Sequence, residues 1–120
     1  MSKKVLVADD SSTMRKIILR SLQAVGVPDA AEAADGEEAV IMFQQATYDM
    51  VLTDWNMPKK NGLDVIREIR AINATVPIIM VTTEAEKTRV LEAIQAGVSD
   101  YLVKPFTADT LRQKLEKFGC

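Results

Sequence analysis

The amino-acid sequence predicts an α/β fold, with a parallel sheet covered by helices on both faces. Five short apolar runs alternate with five longer stretches whose apolar residues recur at steps of three and four. The runs lack the polar alternation of half-exposed strands, so they read as strands buried on both sides, the signature of a parallel sheet between two helical layers. The 120 residues suit one domain spanning 1–120, and no linker, repeat or low-complexity stretch divides them.

Each element has its own justification. Val5-Leu6-Val7-Ala8 is too short for a helix and ends at Asp9-Asp10. Met14, Ile17, Ile18, Leu22 and Val25 then form one apolar helical face, which Gly26 and Pro28 terminate. Residues 29–34 carry the weakest pattern and read as a short strand at a sheet edge. Asp35 and Glu38 have capping-box spacing and open a helix bearing Ala39, Met42, Phe43 and Ala46. Met50 to Thr53 is the third strand, followed by Asp54 and a loop from Trp55 to Lys60 in which Trp55 is expected to be partly exposed. Asn61 can cap a helix with Leu63, Ile66, Ile69 and Ile72 as its buried stripe. Ile78-Ile79-Met80-Val81 is the fourth strand, ending at Thr82. Thr83 and Glu86 can cap a helix carrying Val90, Leu91 and Ile94, which Gly97 closes. Tyr101-Leu102-Val103 is the last strand, ending at Lys104-Pro105, and a final helix from Thr107 uses Leu111, Leu115 and Phe118.

Composition removes several classes of function. There is no histidine, which excludes histidine acid/base catalysis, the Ser-His-Asp triad and the common zinc sites. A net charge of −2 gives no support for nucleic-acid binding. The sole cysteine is Cys120, so no internal disulfide can form, in keeping with a reducing compartment. Only four apolar residues separate the initial Met-Ser-Lys-Lys from Asp9, too few for a signal peptide or a membrane span. A cytoplasmic protein without a membrane partner is expected.

Four strand ends carry reactive side chains: Asp9 and Asp10, Asp54, Thr82, and Lys104. In a parallel sheet these ends share one rim, where open α/β sheets bind ligands. Crowded carboxylates repel, and a hard divalent cation such as Mg²⁺ with oxygen ligands relieves the repulsion. Asp54 between a cation and a lysine is suited to attack phosphorus and form an aspartyl phosphate. Lys104 and the metal would balance charge on the phosphoryl oxygens, and the Thr82 hydroxyl would donate a hydrogen bond to one. Taken singly, each residue has a plainer role: a helix cap for Asp9-Asp10, a turn for Asp54, a solvated edge for Lys104. Their joint placement favours phosphorus chemistry.

Asp9-Asp10, Thr53-Asp54-Trp55-Asn56-Met57-Pro58, Val81-Thr82, Ala96-Gly97, Tyr101 and Val103-Lys104-Pro105-Phe106 together resemble the receiver domain of two-component response regulators. The resemblance covers the whole chain and is strongest to single-domain regulators of chemotaxis. It implies a (βα)5 flavodoxin-like, doubly wound sheet of strand order 2-1-3-4-5, with Lys104-Pro105 commonly cis. It implies Asp54 as phosphoacceptor, Asp9, Asp10, Asp54 and the backbone carbonyl of Asn56 as Mg²⁺ ligands, and Thr82 and Lys104 against the phosphoryl group. Thr82 and Tyr101 would form a coupled switch. Ala85, Val90, Tyr101, Lys114 and Lys117 would line the partner face, although the two lysines equally suit a solvated helix. The implied partners are a histidine kinase as phosphodonor, a downstream protein such as a flagellar motor switch protein, and a phosphatase; the protein is expected to be a monomer. Asn56 and Glu84 occupy positions that tune phosphoryl lifetime in the family. Lys60 and Asn61 depart from the family's usual apolar residue and Asp, and the added charge of Lys59 and Lys60 bears on recognition more than on chemistry.

Three alternatives stand beside this reading. A haloacid-dehalogenase-type phosphohydrolase also uses Asp, Thr or Ser, Lys and Mg²⁺, but typically needs a second Asp where this chain has Asn56. A flavin or nucleotide module would need a Gly-rich loop where Asp9-Asp10 stand. The chain could also be the receiver part of a longer regulator.

Overall fold

Parallel pairing joins all five apolar runs. A computed structural model describes residues 3–27, 29–83 and 87–119, and their side chains except those of 87–89. The strands are β1 (Val5–Ala8), β2 (Ala30–Ala33), β3 (Met50–Thr53), β4 (Ile78–Thr82) and β5 (Asp100–Val103). They form one sheet in the order β2-β1-β3-β4-β5, every pair parallel. Between them run α1 (Ser12–Ala24), α2 (Gly36–Gln45), α3 (Gly62–Ile72), α4 (Lys87–Ala96) and α5 (Ala108–Lys117). The expected fold class and strand order are both found.

Strand side chains alternate between two faces, so the sheet builds two cores. Val5, Val7, Met50, Leu52, Ile79 and Val81 face α1 and α5, where Ile18, Leu22, Leu111 and Leu115 meet them. Leu6, Ala8, Val51, Ile78 and Met80 face α2, α3 and α4, packing with Phe43, Ile66, Ile69 and Ala93. Among the described residues no helix is long and apolar enough to cross a membrane.

Helix starts follow side-chain capping. Asp35, Asn61 and Thr107 accept the N–H groups of Glu38, Asp64 and Thr110, as the spacing predicts. Glu38 reaches back to the Ala34 N–H at 3.4 Å. The cap of α1 is Ser11, which accepts from Met14, so neither Asp9 nor Asp10 is used for that purpose. The proposed Thr83–Glu86 box involves Glu86, which lies outside the described residues, as do Pro28, Glu84, Ala85 and Cys120.

Several expected burials are corrected. Ile17, Ile72, Leu91 and Ile94 are about half exposed, because each helix covers the sheet along a narrower stripe than its apolar residues span. On α1 that stripe is Ile18 and Leu22; on α4 it centres on Ala93. Ala46 is the exposed C-cap of α2 rather than part of its buried face. Val40 and Val65 were not placed on the buried faces, yet are 5% and 0% exposed. Trp55 is buried, at 8% exposure, because its loop folds back over α3: the Gly62 N–H donates to the Trp55 carbonyl at 2.7 Å.

Arg70 ties the far end of this layer together. Its Nε donates to the Gly97 carbonyl at 2.8 Å, Nη1 to the Asn73 carbonyl at 3.2 Å and Nη2 to Ser99 Oγ at 3.2 Å. The ends of α3 and α4 thereby share one guanidinium.

Gly62 is required by close approach, since a Cβ there would collide with the Asp54 carbonyl oxygen. Gly62→Ala is expected to cost about 1–3 kcal/mol through overpacking, read as a lower urea midpoint. An unchanged midpoint would show that the loop after β3 yields freely.

Candidate functional site

The strand register decides which side chains meet. Ala8 pairs with Thr53, so the residues that follow them, Asp9 and Asp54, leave the sheet side by side. The Asp54 N–H donates to the Ala8 carbonyl at 2.9 Å and the Lys104 N–H to the Thr82 carbonyl at 2.9 Å. Both residues are thus held by backbone at the carboxyl rim, while their side chains project past it.

Asp9, Asp10 and Asp54 each offer a carboxylate oxygen, and these oxygens lie within 4.8 Å of one another. Lys104 Nζ stands 3.0 Å from Asp9 Oδ2 and 3.4 Å from Asp54 Oδ2. The lysine and the two aspartates are largely shielded from solvent, with side chains 10%, 2% and 13% exposed. Asp9 Oδ1 accepts the Ser11 N–H at 2.9 Å, and Asp54 Oδ1 accepts the Trp55 N–H at 2.7 Å. Asp10 is exposed at the mouth of a groove that Ser11, Met14, Thr83 and Pro105 also line. Asn56 lies beside it on the surface, lining a neighbouring recess with Asp10, Met57 and Asn61. The Lys104-Pro105 peptide is cis.

Burial pushes the Asp54 carboxyl above its ordinary value; Lys104 opposes this, Asp9 reinforces it, and the Trp55 N–H opposes it again, leaving the group raised. One lysine cannot offset three clustered carboxylates. The site therefore retains an excess of hard, anionic oxygen donors, a set suited to a divalent cation of the Mg²⁺ or Ca²⁺ kind.

Thr82 is buried, at 4% exposure. Behind it an apolar pocket is lined by Trp55, Met80, Val90, Ala93 and Tyr101. Tyr101 lies on the edge strand β5 and is 40% exposed. Lys114 and Lys117 project from α5 toward one carboxylate, Asp100 Oδ2, at 2.9 and 3.2 Å. Sequence reasoning missed this clamp, as it missed Arg15, whose Nη1 donates to the Asp9 carbonyl at 2.6 Å. No motif marks either contact; each joins a strand or its end to the helix that follows it, at a spacing that no capping or helical pattern announces. Burial alone would raise the Asp100 carboxyl, but hydrogen bonds from Lys114, the Tyr101 N–H and Lys117 hold it below its ordinary value.

The description of the response regulator receiver domain matches residues 5–116 of the chain. The chemotaxis protein CheY of Pseudomonas aeruginosa is 47% identical over 116 residues, covering 95% of this chain and 94% of that protein. Chemotaxis protein CheY1 of Helicobacter pylori is 49% identical over 116 residues, covering 94% of each. The solved structure of Vibrio cholerae chemotaxis protein CheY4 superposes with a TM-score of 0.92 at 34% identity, covering 98% of this chain and 99% of that one.

Two titrations test the electrostatics. The folded state raises the Asp54 pKa, so ionising Asp54 destabilises the fold at neutral pH, and the penalty disappears as pH falls below the unfolded value. Metal-free Asp54→Asn should therefore have a higher urea midpoint than the parent at pH 7, the gap closing toward pH 4; a lower midpoint at pH 7 would refute this. Asp100 has the opposite sign: its depressed pKa gives stability above the unfolded value that is lost as pH falls through the folded one. Asp100→Asn should cost about 0.5–1 kcal/mol at pH 7, given the exposure of Lys117, and almost nothing near pH 2.

Proposed function

The chain belongs to the response regulator receiver domain family, and from that membership we propose that Asp54 is the phosphoacceptor of a two-component signalling switch. The observation that carries the assignment is the meeting of Asp9, Asp10 and Asp54 with Lys104 at one rim. The donor set fits Mg²⁺, and Asp9, Asp10, Asp54 and the backbone carbonyl of Asn56 are the residues that would hold it. When bound, the ion supplies positive charge for the phosphoryl oxygens.

Transfer is a displacement at phosphorus. A carboxylate oxygen of Asp54 bonds to the phosphorus of a kinase phosphohistidine, and the P–N bond breaks with its electron pair left on the imidazole nitrogen. Lys104 balances the charge of the new acyl phosphate, and Thr82 donates its hydroxyl proton in a hydrogen bond to a phosphoryl oxygen. Water later attacks the phosphorus, the Asp54 oxygen–phosphorus bond breaks, inorganic phosphate leaves and the carboxylate is restored. Asn56, two residues beyond Asp54, has no carboxyl group to act as acid or base in that step. The chain assists its own phosphorylation and dephosphorylation as a switch rather than turning over a separate substrate.

The phosphoryl group brings about −1.5 to −2 charges by analogy with phosphorylated hydroxyls. Thr82 shifts toward its oxygens and vacates part of the apolar pocket, into which Tyr101 turns from its exposed position. This alters the face formed by α4, β5 and α5, with Val90, Tyr101, Lys114, Lys117 and Ala85 as partner-contacting residues. The chemotaxis relatives support a chemotaxis pathway, with a histidine kinase upstream, a flagellar motor switch protein downstream and a phosphatase to reset the signal. The protein acts as a cytoplasmic monomer with neither nucleic acid nor membrane as partner.

Incubation with Mg²⁺ and acetyl phosphate should add one phosphoryl group by intact mass and change Trp55 fluorescence. Asp54→Asn should abolish the adduct, and omission of Mg²⁺ should suppress it. An adduct that survives in Asp54→Asn would overturn the assignment of the phosphoacceptor.

A further inference from the structure

We propose that Arg15 is a positioning residue for the acidic pocket, fixing the Asp9-Asp10 peptide without touching the bound cation. The proposal rests on the reading of Asp9, Asp10 and Asp54 as a Mg²⁺ site. Arg15 lies in the first turns of α1, with its side chain 15% exposed. Its Nη1 donates to the Asp9 carbonyl at 2.6 Å, and its Nε donates to Glu32 Oε1 on β2 at 3.1 Å. The first bond satisfies a carbonyl just past the end of β1, on a residue only 1% exposed. The second fastens the guanidinium to the edge strand.

Asp9 is consequently restrained at four atoms. Its N–H donates to the Ala33 carbonyl, its own carbonyl accepts from Arg15, Oδ1 accepts from Ser11 and Oδ2 accepts from Lys104. Asp10 is exposed, and the peptide plane before it fixes where its Cα stands. That plane carries the carbonyl that Arg15 holds. A lysine would keep the charge but lacks the planar fork that reaches Asp9 and Glu32 together.

Charge and positioning predict opposite effects. If Arg15 mattered only as a cation near a cation site, neutralising it would tighten Mg²⁺ binding. If it positions the ligands, neutralising it weakens binding. Mg²⁺ titrations of the full chain at fixed ionic strength, followed by Trp55 fluorescence, separate the two, with thermal midpoints measured in parallel without Mg²⁺. Arg15→Gln and Arg15→Lys should each raise the Mg²⁺ Kd about tenfold, the range seen when groups supporting metal ligands are removed. Glu32→Ala, which removes only the outer tether, should raise it less, and it reads the same linkage should Arg15→Gln fail to fold. Unchanged or tighter binding in Arg15→Gln, full affinity in Arg15→Lys, or lowered thermal midpoints with unchanged Kd throughout would each overturn the proposal. Failure of the parent protein itself to bind Mg²⁺ would instead remove the metal-site reading, and this proposal with it.

Discussion

The ammonium of Lys104, set between the carboxylates of Asp9 and Asp54, is the interaction on which the site depends. It joins the ends of β1, β3 and β5, which are brought to one rim only because all strands run the same way. A shielded charge of this kind is costly to desolvate and gains its place through close, hydrogen-bonded partners. Here the compensation is incomplete by design of the sequence: the carboxylates outnumber the lysine. The same imbalance leaves the resting pocket with the excess of anionic oxygens that suits a divalent cation. Stability given up at the rim is recovered in the two apolar cores on either side of the sheet.

The strand ends were legible in the sequence because a buried strand has a hard stop. Ala8, Thr53, Val81 and Val103 each close an apolar run, and parallel pairing leaves the following polar groups no other place to gather. Caps at Asp35, Asn61 and Thr107 were legible for a similarly local reason, since the cap oxygen and the N–H that donates to it lie three residues apart. Helix faces were less so. Periodicity shows which residues share a side of α4, but the width of sheet beneath that side is a tertiary property, and so Leu91 and Ile94 remain exposed while Ala93 is covered. Trp55 was misjudged for the converse reason: a loop is expected to face water, yet this one is drawn inward by the Gly62 N–H.

Polar side-chain contacts between elements were hidden altogether. Arg15 meets Asp9 and Glu32, and Asp100 meets Lys114 and Lys117, without any spacing that announces it. The second cluster changes how the lysines of α5 are viewed. They are two cations already leaning on a carboxylate of β5, so an acidic partner reaching that face meets an internal competitor for both. Charge reversal there would alter the fold's own pairing as well as recognition.

Arg70 gives α4 a fixed end. Its bond to the Gly97 carbonyl, together with those to Asn73 and Ser99, fastens the helix where it meets β5. A ten-residue helix is about 15 Å long, so with one end fastened the remaining freedom is angular: a tilt of about 4° carries the opposite end through roughly 1 Å. The helix is a lever with its fulcrum at Gly97 and its long arm beside the rim. A displacement reaching α4 from the rim would swing its start while Arg70 holds its end.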